Sequence, residues 1–576
     1  MYTFSELRKA NKLVISGEEK RLAVIGNVAT QFFSTGICGA AKLAGINLNV
    51  LDTDYNQIDA QLFDQASEVY SFAPDYILLW LSSEKLYEEF LDLPIEKKAA
   101  FADYYIEKLQ QWWEKIALYS NARIIQPNLV EIDDKVLGQY SSKTNISFTY
   151  QIRKLNYLMQ LAMESANNIF PVDFSAIQNS LGRNVFHDPV IYFSSKMSVA
   201  INALPCVAKA VTDVIKSSMG RIKKCIILDL DNTLWGGVIG DDGVGGIEIG
   251  ELGRGHAFSN FQRWLKSLKE CGIILAVCSK NNEDIAKEPF EQNDEMILKL
   301  SDISVFVANW DDKASNIRLI KDTLNIGMDS IVFLDDNPFE RNLVRQLIPE
   351  ITVPELPEDP AQYVSFLQNE NLFDTASYTG AGSDRTKLYQ EEFERKKSEK
   401  TFDSIDDYLE SLDMIGEAKP FEPSKYARIA QLSQRSNQFN LRTIRYTENE
   451  IAKIAESENY FTLFFTLKDK FGDYGLVSAV VLQKADSHRL FIDTWFMSCR
   501  VLKRGMEDFI INSVFDVAKT NNYDIIVGEY IPTPKNKMVE NIYSEKGFVK
   551  IADNRYELSV HDYKYKQVFI KNGEKL

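Results

Sequence analysis

Four short apolar runs in the middle of this 576-residue chain each end on a polar residue, and that series constrains the fold more than any other feature. Cys225-Ile226-Ile227-Leu228 runs into Asp229-Leu230-Asp231-Asn232-Thr233, and Ile273 to Cys278 runs into Ser279-Lys280-Asn281. A third run leads to Lys313, and Ile331 to Leu334 reaches Asp335-Asp336. Short, uniformly apolar runs fit strands buried on both faces, as in a parallel sheet whose crossovers are helices. The intervals supply the helices. Phe258, Phe261, Leu265 and Leu268 recur at helical spacing before Gly272, and Ile317, Ile320 and Leu324 repeat the pattern after Lys313. Such a sheet collects its ligands at the carboxyl ends of the strands, so these polar residues are expected to converge on one site.

Their chemistry is that of phosphoryl transfer. Asp229 and Asp231, one residue apart after a buried strand, point to the same side of the chain. Asp229 is placed to attack phosphorus, while Asp231 can protonate the leaving group and later take a proton from water. Two carboxylates repel a phosphate dianion, so a divalent ion is needed, and Asp335 supplies a third carboxylate for a hard ion such as magnesium, with Asp336 beside it as a further candidate ligand. Ser279 can hydrogen-bond a phosphate oxygen, and Lys313 can neutralise charge that develops on the transferred group. Thr233, Lys280 and Asn281, next to these residues, are expected to bind substrate. Taken singly, each is commonly a turn, a cap or a solvated charge; the order of the four elements carries the reading.

Asp229-Leu230-Asp231-Asn232-Thr233-Leu234-Trp235, Ser279, Lys313 and Phe333-Leu334-Asp335-Asp336-Asn337-Pro338 resemble the four motifs of the haloacid dehalogenase superfamily. The extension Trp235-Gly236-Gly237-Val238-Ile239-Gly240-Asp241-Asp242-Gly243, with Cys278-Ser279-Lys280-Asn281 and Asp335 to Arg341, is similar to its FkbH-like branch, subfamily IIIC. The resemblance implies a Rossmannoid parallel sheet, an aspartyl-phosphate on Asp229, and Asp231 as acid and base. It also implies magnesium bound by Asp229, the backbone carbonyl of Asp231, and Asp335. About 50 residues separate Asp229 from Ser279 and about 34 separate Ser279 from Lys313, too few for a full cap domain beside the helices and strands already placed there. An open site suits a large or carrier-linked substrate.

A chain of this length exceeds one core, and domains of ordinary size would number three or four. Residues 1–217 alternate strands and helices, with Arg21 to Gly26, Tyr76 to Leu81 and Arg123 to Pro127 as strands. This region resembles a flavodoxin-like SGNH-hydrolase domain that is degenerate, because Gly26-Asn27-Val28 lacks the nucleophilic serine; His187-Asp188 would be a remnant and Ser82-Ser83 a helix cap. Residues 218–360 hold the motif series. Residues 361–412 are expected to be a helical connector with few core residues, including the mixed-charge stretch Glu394 to Lys400. Residues 413–576 carry strands at 461–467, 476–482, 490–496 and 525–530 and a helix from about 505 to 520. They resemble a GNAT acetyltransferase-like α+β domain, with Arg500 and Gly505 in the turn that would hold the pyrophosphate of coenzyme A and Asn541-Ile542-Tyr543 as a later signature. Lys503 occupies a glycine position of that turn, so coenzyme A remains a candidate that this side chain opposes.

The balance of 65 Lys+Arg against 82 Asp+Glu argues against nucleic acid as a partner. The six scattered cysteines lack zinc-site spacing and are expected to be reduced and buried. Met1 to Glu6 lacks a basic region followed by an apolar one, and no run is long enough to span a bilayer, so a cytoplasmic protein without a membrane partner is expected. The leading function is a magnesium-dependent phosphohydrolase of phosphoric monoesters. The alternative, implied by the FkbH-like resemblance, is a glyceryl transferase that loads an acyl carrier protein from 1,3-bisphosphoglycerate.

Overall fold

The computed structural model describes residues 2–166, 168–375 and 404–573, and the chain divides into two compact units, Met1–Lys216 and Ser217–Leu576. The first unit is an α/β domain with five parallel strands: β1 (Lys20–Gly26), β2 (Leu48–Asp52), β3 (Tyr76–Trp80), β4 (Arg123–Pro127) and β5 (Ile169–Val172), in the order β2-β1-β3-β4-β5. This is the flavodoxin-like order, and the strand sequence reverses between β1 and β3, where such folds place a crevice. Asn27 follows β1 there and accepts a hydrogen bond from the Ser82 backbone N–H at 2.8 Å. Ser82 caps the helix Ser83–Leu91. Asp188 is spent on capping Pro189–Ser195, while His187 Nδ1 lies 2.9 Å from the Ser198 carbonyl and 3.3 Å from Glu84. The His187-Asp188 pair is therefore not a working couple: neighbours in sequence, the two side chains have separate partners.

The second unit opens with four parallel strands, β6 (Cys225–Leu228), β7 (Ile274–Ser279), β8 (Val305–Ala308) and β9 (Ile331–Leu334), in the order β8-β7-β6-β9. Pleating explains the unbroken apolar runs. Ile226 and Leu228 face one layer with Phe258, Phe261 and Leu265 of helix Gly253–Glu270, while Cys225 and Ile227 face the other with Ile317, Ile320 and Leu324 of helix Lys313–Leu324. Between β6 and helix Gly253–Glu270 lie only two isolated bridges, Asp231 with Trp235 and Gly236 with Glu248, and a short helix, Ile239–Gly246, broken at Gly243 with φ 67°. The central domain thus lacks a full cap.

The segment 361–412 departs from the expected connector. Tyr363 and Leu367, one helical turn apart in Tyr363–Glu370, enter the central core, and Tyr408 and Leu409 of helix Ile405–Ser411 enter the C-terminal core. The spacing of four puts Tyr363 and Leu367 on one helix face. Residues 376–403, with the Glu394 to Lys400 stretch, lie outside the described residues.

The C-terminal region is an α+β domain on a mixed sheet. Strands β10 (Ile415–Lys419), β11 (Tyr460–Lys468), β12 (Asp473–Lys484) and β13 (Arg489–Met497) pair antiparallel, and helix Met506–Thr520 then crosses to β14 (Ile525–Glu529), parallel to β13. Strands β15 (Val549–Ala552), β16 (Arg555–Ser559) and β17 (Lys571–Asn572) complete the order β15-β16-β14-β13-β12-β11-β10-β17. This topology agrees with the GNAT-like expectation. The β13/β14 ladder stops at Ile492 and Gly528, and beyond it the chain's own segment Phe439–Leu441 fills the gap. Leu441 N–H donates to the Trp495 carbonyl at 3.2 Å, Met497 N–H to the Phe439 carbonyl at 3.0 Å, and Ile531 N–H to the Leu441 carbonyl at 2.8 Å.

None of the six cysteines is in a disulfide, but only Cys225 and Cys278 are buried, where burial pushes both thiols up; Cys271, past the end of its helix, is exposed. Among the described residues no helix is long and apolar enough to cross a membrane.

Candidate active site at the carboxyl edge of the central sheet

The parallel sheet delivers each motif residue to one edge. Asp229 follows β6, and its N–H donates to the Leu334 carbonyl at 2.9 Å, tying it to the end of β9. Asp335 follows β9 and is fully buried. Lys313 reaches between them from the first turn of its helix, where Asp312 is the cap and accepts from the Ser315 N–H at 2.8 Å. The Lys313 ammonium lies 2.9 Å from Asp229 Oδ1 and 2.5 Å from Asp335 Oδ2, with only 4% of its side chain exposed.

Burial works against the charge of Lys313, but the Asp229 and Asp335 carboxylates outweigh it and raise its pKa. Burial, reinforced by the charge of Asp229, pushes the Asp335 carboxyl up to about 7, and the same two causes lift Asp336. Oxygens of Asp229, Asp335 and Asp336 all lie within 4.8 Å of one another. Three carboxylates facing one ammonium leave excess negative charge in a desolvated place, and an all-oxygen donor set of this kind fits a hard divalent cation.

Asp231 is fixed by three donors. Trp235 Nε1 and the Ile239 N–H each reach Oδ1 at 3.0 Å, and Asn281 Nδ2 reaches Oδ2 at 2.8 Å. Burial raises its carboxyl above the usual range against these bonds, and the charge of Asp229 adds to the rise. A carboxyl lifted in this way is suited to carry a proton to a leaving group. Ser279 ends β7 at 2% exposure, and its carbonyl accepts from the Asn309 N–H at 3.2 Å.

The three residues expected to bind substrate each have a partner within the protein. Thr233 is fully buried, and its hydroxyl accepts from the Asp336 N–H at 3.1 Å. Asn281 is spent on Asp231, and Lys280 pairs with Glu340 at 2.6 Å. Two residues given no role from the sequence complete the site: Trp235, through Asp231, and Arg341. The buried Arg341 guanidinium donates to the carbonyls of Asp335 at 2.8 Å and Asp336 at 2.6 Å, and its outer edge meets Glu355 at 2.9 Å. Their positions shortly after a motif carboxylate, Trp235 four residues after Asp231 and Arg341 six after Asp335, were the available signal.

At the C-terminal turn, Lys503 has φ 61°, and its N–H donates to Glu507 Oε1 at 3.2 Å. A carboxylate thus takes a backbone amide of the turn that the resemblance gives to a pyrophosphate. Arg500 Nε donates to Ser498 Oγ at 3.3 Å.

Residues 21–216 match the family described as FkbH, N-terminal domain. The N-terminal part of a Bacteroides fragilis protein, which contains a phosphatase domain and was crystallised with magnesium, is 46% identical, with a TM-score of 0.63 over 66% of this chain and 100% of that one. The ribosomal-protein-S18-alanine N-acetyltransferase of Escherichia coli matches 25% of this chain and 94% of its own at 12% identity and TM-score 0.21. A spermidine N-acetyltransferase from Vibrio cholerae, solved with CoA and spermine, matches 26% and 98% at 15% identity and TM-score 0.22. No curated protein sequence matches the chain. The 46% identity over the whole crystallised N-terminal part of the Bacteroides fragilis protein, together with the FkbH match and the motif geometry, places the chain in the FkbH-like family of haloacid-dehalogenase-type phosphatase-domain proteins.

Proposed function

We propose that the protein is a magnesium-dependent phosphohydrolase that works through a phosphoryl group carried on Asp229. The observation that carries this reading is the cluster of Asp229, Asp335 and Asp336 around Lys313, with Asp231 held separately by Trp235, Ile239 and Asn281. Asp229, Asp335 and Asp336, with the Asp231 carbonyl, would hold magnesium, which when bound supplies the charge neutralisation that lets a phosphate dianion approach these acids. An Asp229 oxygen attacks phosphorus while the bond to the leaving oxygen breaks and Asp231 gives that oxygen its proton. Asp231 then takes a proton from water, the water oxygen bonds to phosphorus, and the bond to Asp229 breaks to release phosphate. Lys313 and Ser279 hold the phosphoryl group through both steps.

The absence of a full cap supports a large or carrier-linked substrate, as do apolar side chains at the same sheet edge: Trp310 and Val238, in loops, are 77% and 39% exposed, and Phe339, in the first turn of helix Pro338–Leu347, is 68% exposed. The C-terminal domain is a docking domain in this reading, since Phe439–Leu441 and Glu507 take up backbone groups that coenzyme A would need. The FkbH match favours one second reading, glyceryl transfer from 1,3-bisphosphoglycerate to an acyl carrier protein, which uses the same carboxylates. Purified protein with magnesium and an aryl phosphate tests the first reading: phosphate release is expected, and equal release by Asp229→Ala overturns it. A mass increase on a carrier protein incubated with 1,3-bisphosphoglycerate would establish the second.

A further inference from the structure

A cavity of about 290 Å³ lies at the opposite edge of the central sheet, in the seam where the C-terminal domain docks. The seam itself is hydrogen-bonded. Asn325 Nδ2 donates to the Cys499 carbonyl at 2.6 Å, Lys224 Nζ to the Arg435 carbonyl at 2.7 Å, and Lys535 pairs with Asp329. Both domains contribute to the lining, and its charge is opposite to that of the chain. Lys224, Arg428, Arg435, Arg500 and Lys535 line the cavity against one acid, Asp329, in a protein with 65 basic and 82 acidic residues.

Two buried polar atoms in this lining lack a hydrogen-bond partner: Arg500 Nη1 and Gln438 Oε1. A desolvated guanidinium N–H without an acceptor is costly, and an anion within reach removes that cost. The field confirms the sign. Burial alone would raise the Asp329 carboxyl, yet Lys535, Lys223 and Lys224 overcome it and hold it below its usual range. Gln438 Oε1 offers an acceptor for a ligand hydroxyl, and Phe439 and Met497 supply apolar wall.

We propose that this seam cavity binds a small, hydroxylated phosphate ester through Arg500, Arg435 and Lys535, and that the bound anion fastens the C-terminal domain to the phosphatase domain. The site is separate from the reaction centre. Ser330, in the cavity wall, directly precedes β9 and Asp335, in the catalytic cluster, directly follows it, so the two flank opposite ends of one strand. It needs no divalent ion, because its cations are side chains.

Calorimetric titration of the full chain with inorganic pyrophosphate, in buffer containing a chelator and no divalent metal, tests the proposal. One equivalent is expected to bind, with affinity that falls as salt rises. Arg500→Gln and Lys535→Ala should each weaken it about tenfold or more, by loss of a charged hydrogen bond. Asp229→Asn should bind as the wild type does. Lys535 lies at the rim with 40% of its side chain exposed, so its variant serves if Arg500→Gln does not fold. Thermal melts without pyrophosphate report folding, and the ligand-induced rise in Tm should be lost in the folded variants. Absence of binding to the wild type, full affinity in both seam variants, or a loss in Asp229→Asn equal to theirs overturns the proposal.

Discussion

Asn281 Nδ2 lies 2.8 Å from Asp231 Oδ2, so the side chain at the end of one strand's loop sets the orientation of the proton carrier at the end of another. Asn281 stabilises the charged form of Asp231, and its removal raises the pKa of that carboxyl. Because protonated Asp231 is the form that gives up a proton, the alkaline limb of the pH profile should move to higher pH in Asn281→Ala. Turnover should fall about tenfold through lost orientation. A pH series of kcat on an aryl phosphate checks both; an unmoved alkaline limb with unchanged kcat would contradict the assignment.

Arg341 holds two carbonyls of the Asp335-Asp336 turn through one nitrogen, Nη1. Arg341→Ala leaves buried acceptors unpaired, at a cost of about 1–3 kcal/mol, and loosens the carboxylates meant for the metal. A lower Tm and magnesium affinity reduced about tenfold are expected. Arg341→Lys should restore little, since a point ammonium cannot serve both carbonyls and Glu355. Thermal melts and magnesium titrations of the two variants measure this.

The excess negative charge among Asp229, Asp335 and Asp336 makes the site a reservoir of repulsion that a divalent ion relieves. Chelation should abolish phosphate release, and added magnesium should restore it and raise Tm. Asp335→Asn should lose the magnesium-dependent rise in Tm while remaining folded, because it removes one of the like charges that the metal-free fold must tolerate. An equal rise in the variant would place the metal elsewhere.

Trp310, on a loop, and Phe339, in the first turn of helix Pro338–Leu347, are exposed beside an uncapped site. Trp310→Ala and Phe339→Ala should lower kcat/KM for a bulky aryl phosphate, such as a naphthyl ester, several-fold while leaving phenyl phosphate little changed, since only the larger group reaches the rim. Equal effects on both substrates would remove these side chains from substrate contact.

Much of the central domain was legible in sequence for a physical reason. Strands buried on both faces must be apolar throughout, so Cys225 to Leu228 and Ile331 to Leu334 announced themselves, and parallel topology then fixed where Asp229 and Asp335 meet. Side-chain direction was not legible. Thr233, Lys280 and Asn281 sit at the expected strand ends, yet their polar groups turn to Asp336, Glu340 and Asp231, because position along a strand does not specify which neighbour a rotamer finds. Long-range backbone pairing was likewise hidden. Phe439–Leu441 joins β13 through contacts across more than fifty residues, and no local pattern marks a three-residue insert. The core contributions of Tyr363 and Leu367, and of Tyr408 and Leu409, were missed because averaging over a charged stretch concealed a few apolar side chains.

The most direct test of covalent phosphoryl transfer through Asp229 is the stereochemical course at phosphorus, followed with an aryl phosphate made chiral by oxygen isotopes and transferred to an alcohol acceptor. Two in-line displacements, one by Asp229 and one by the acceptor, predict overall retention of configuration. Inversion, the outcome of a single direct displacement, would contradict the account.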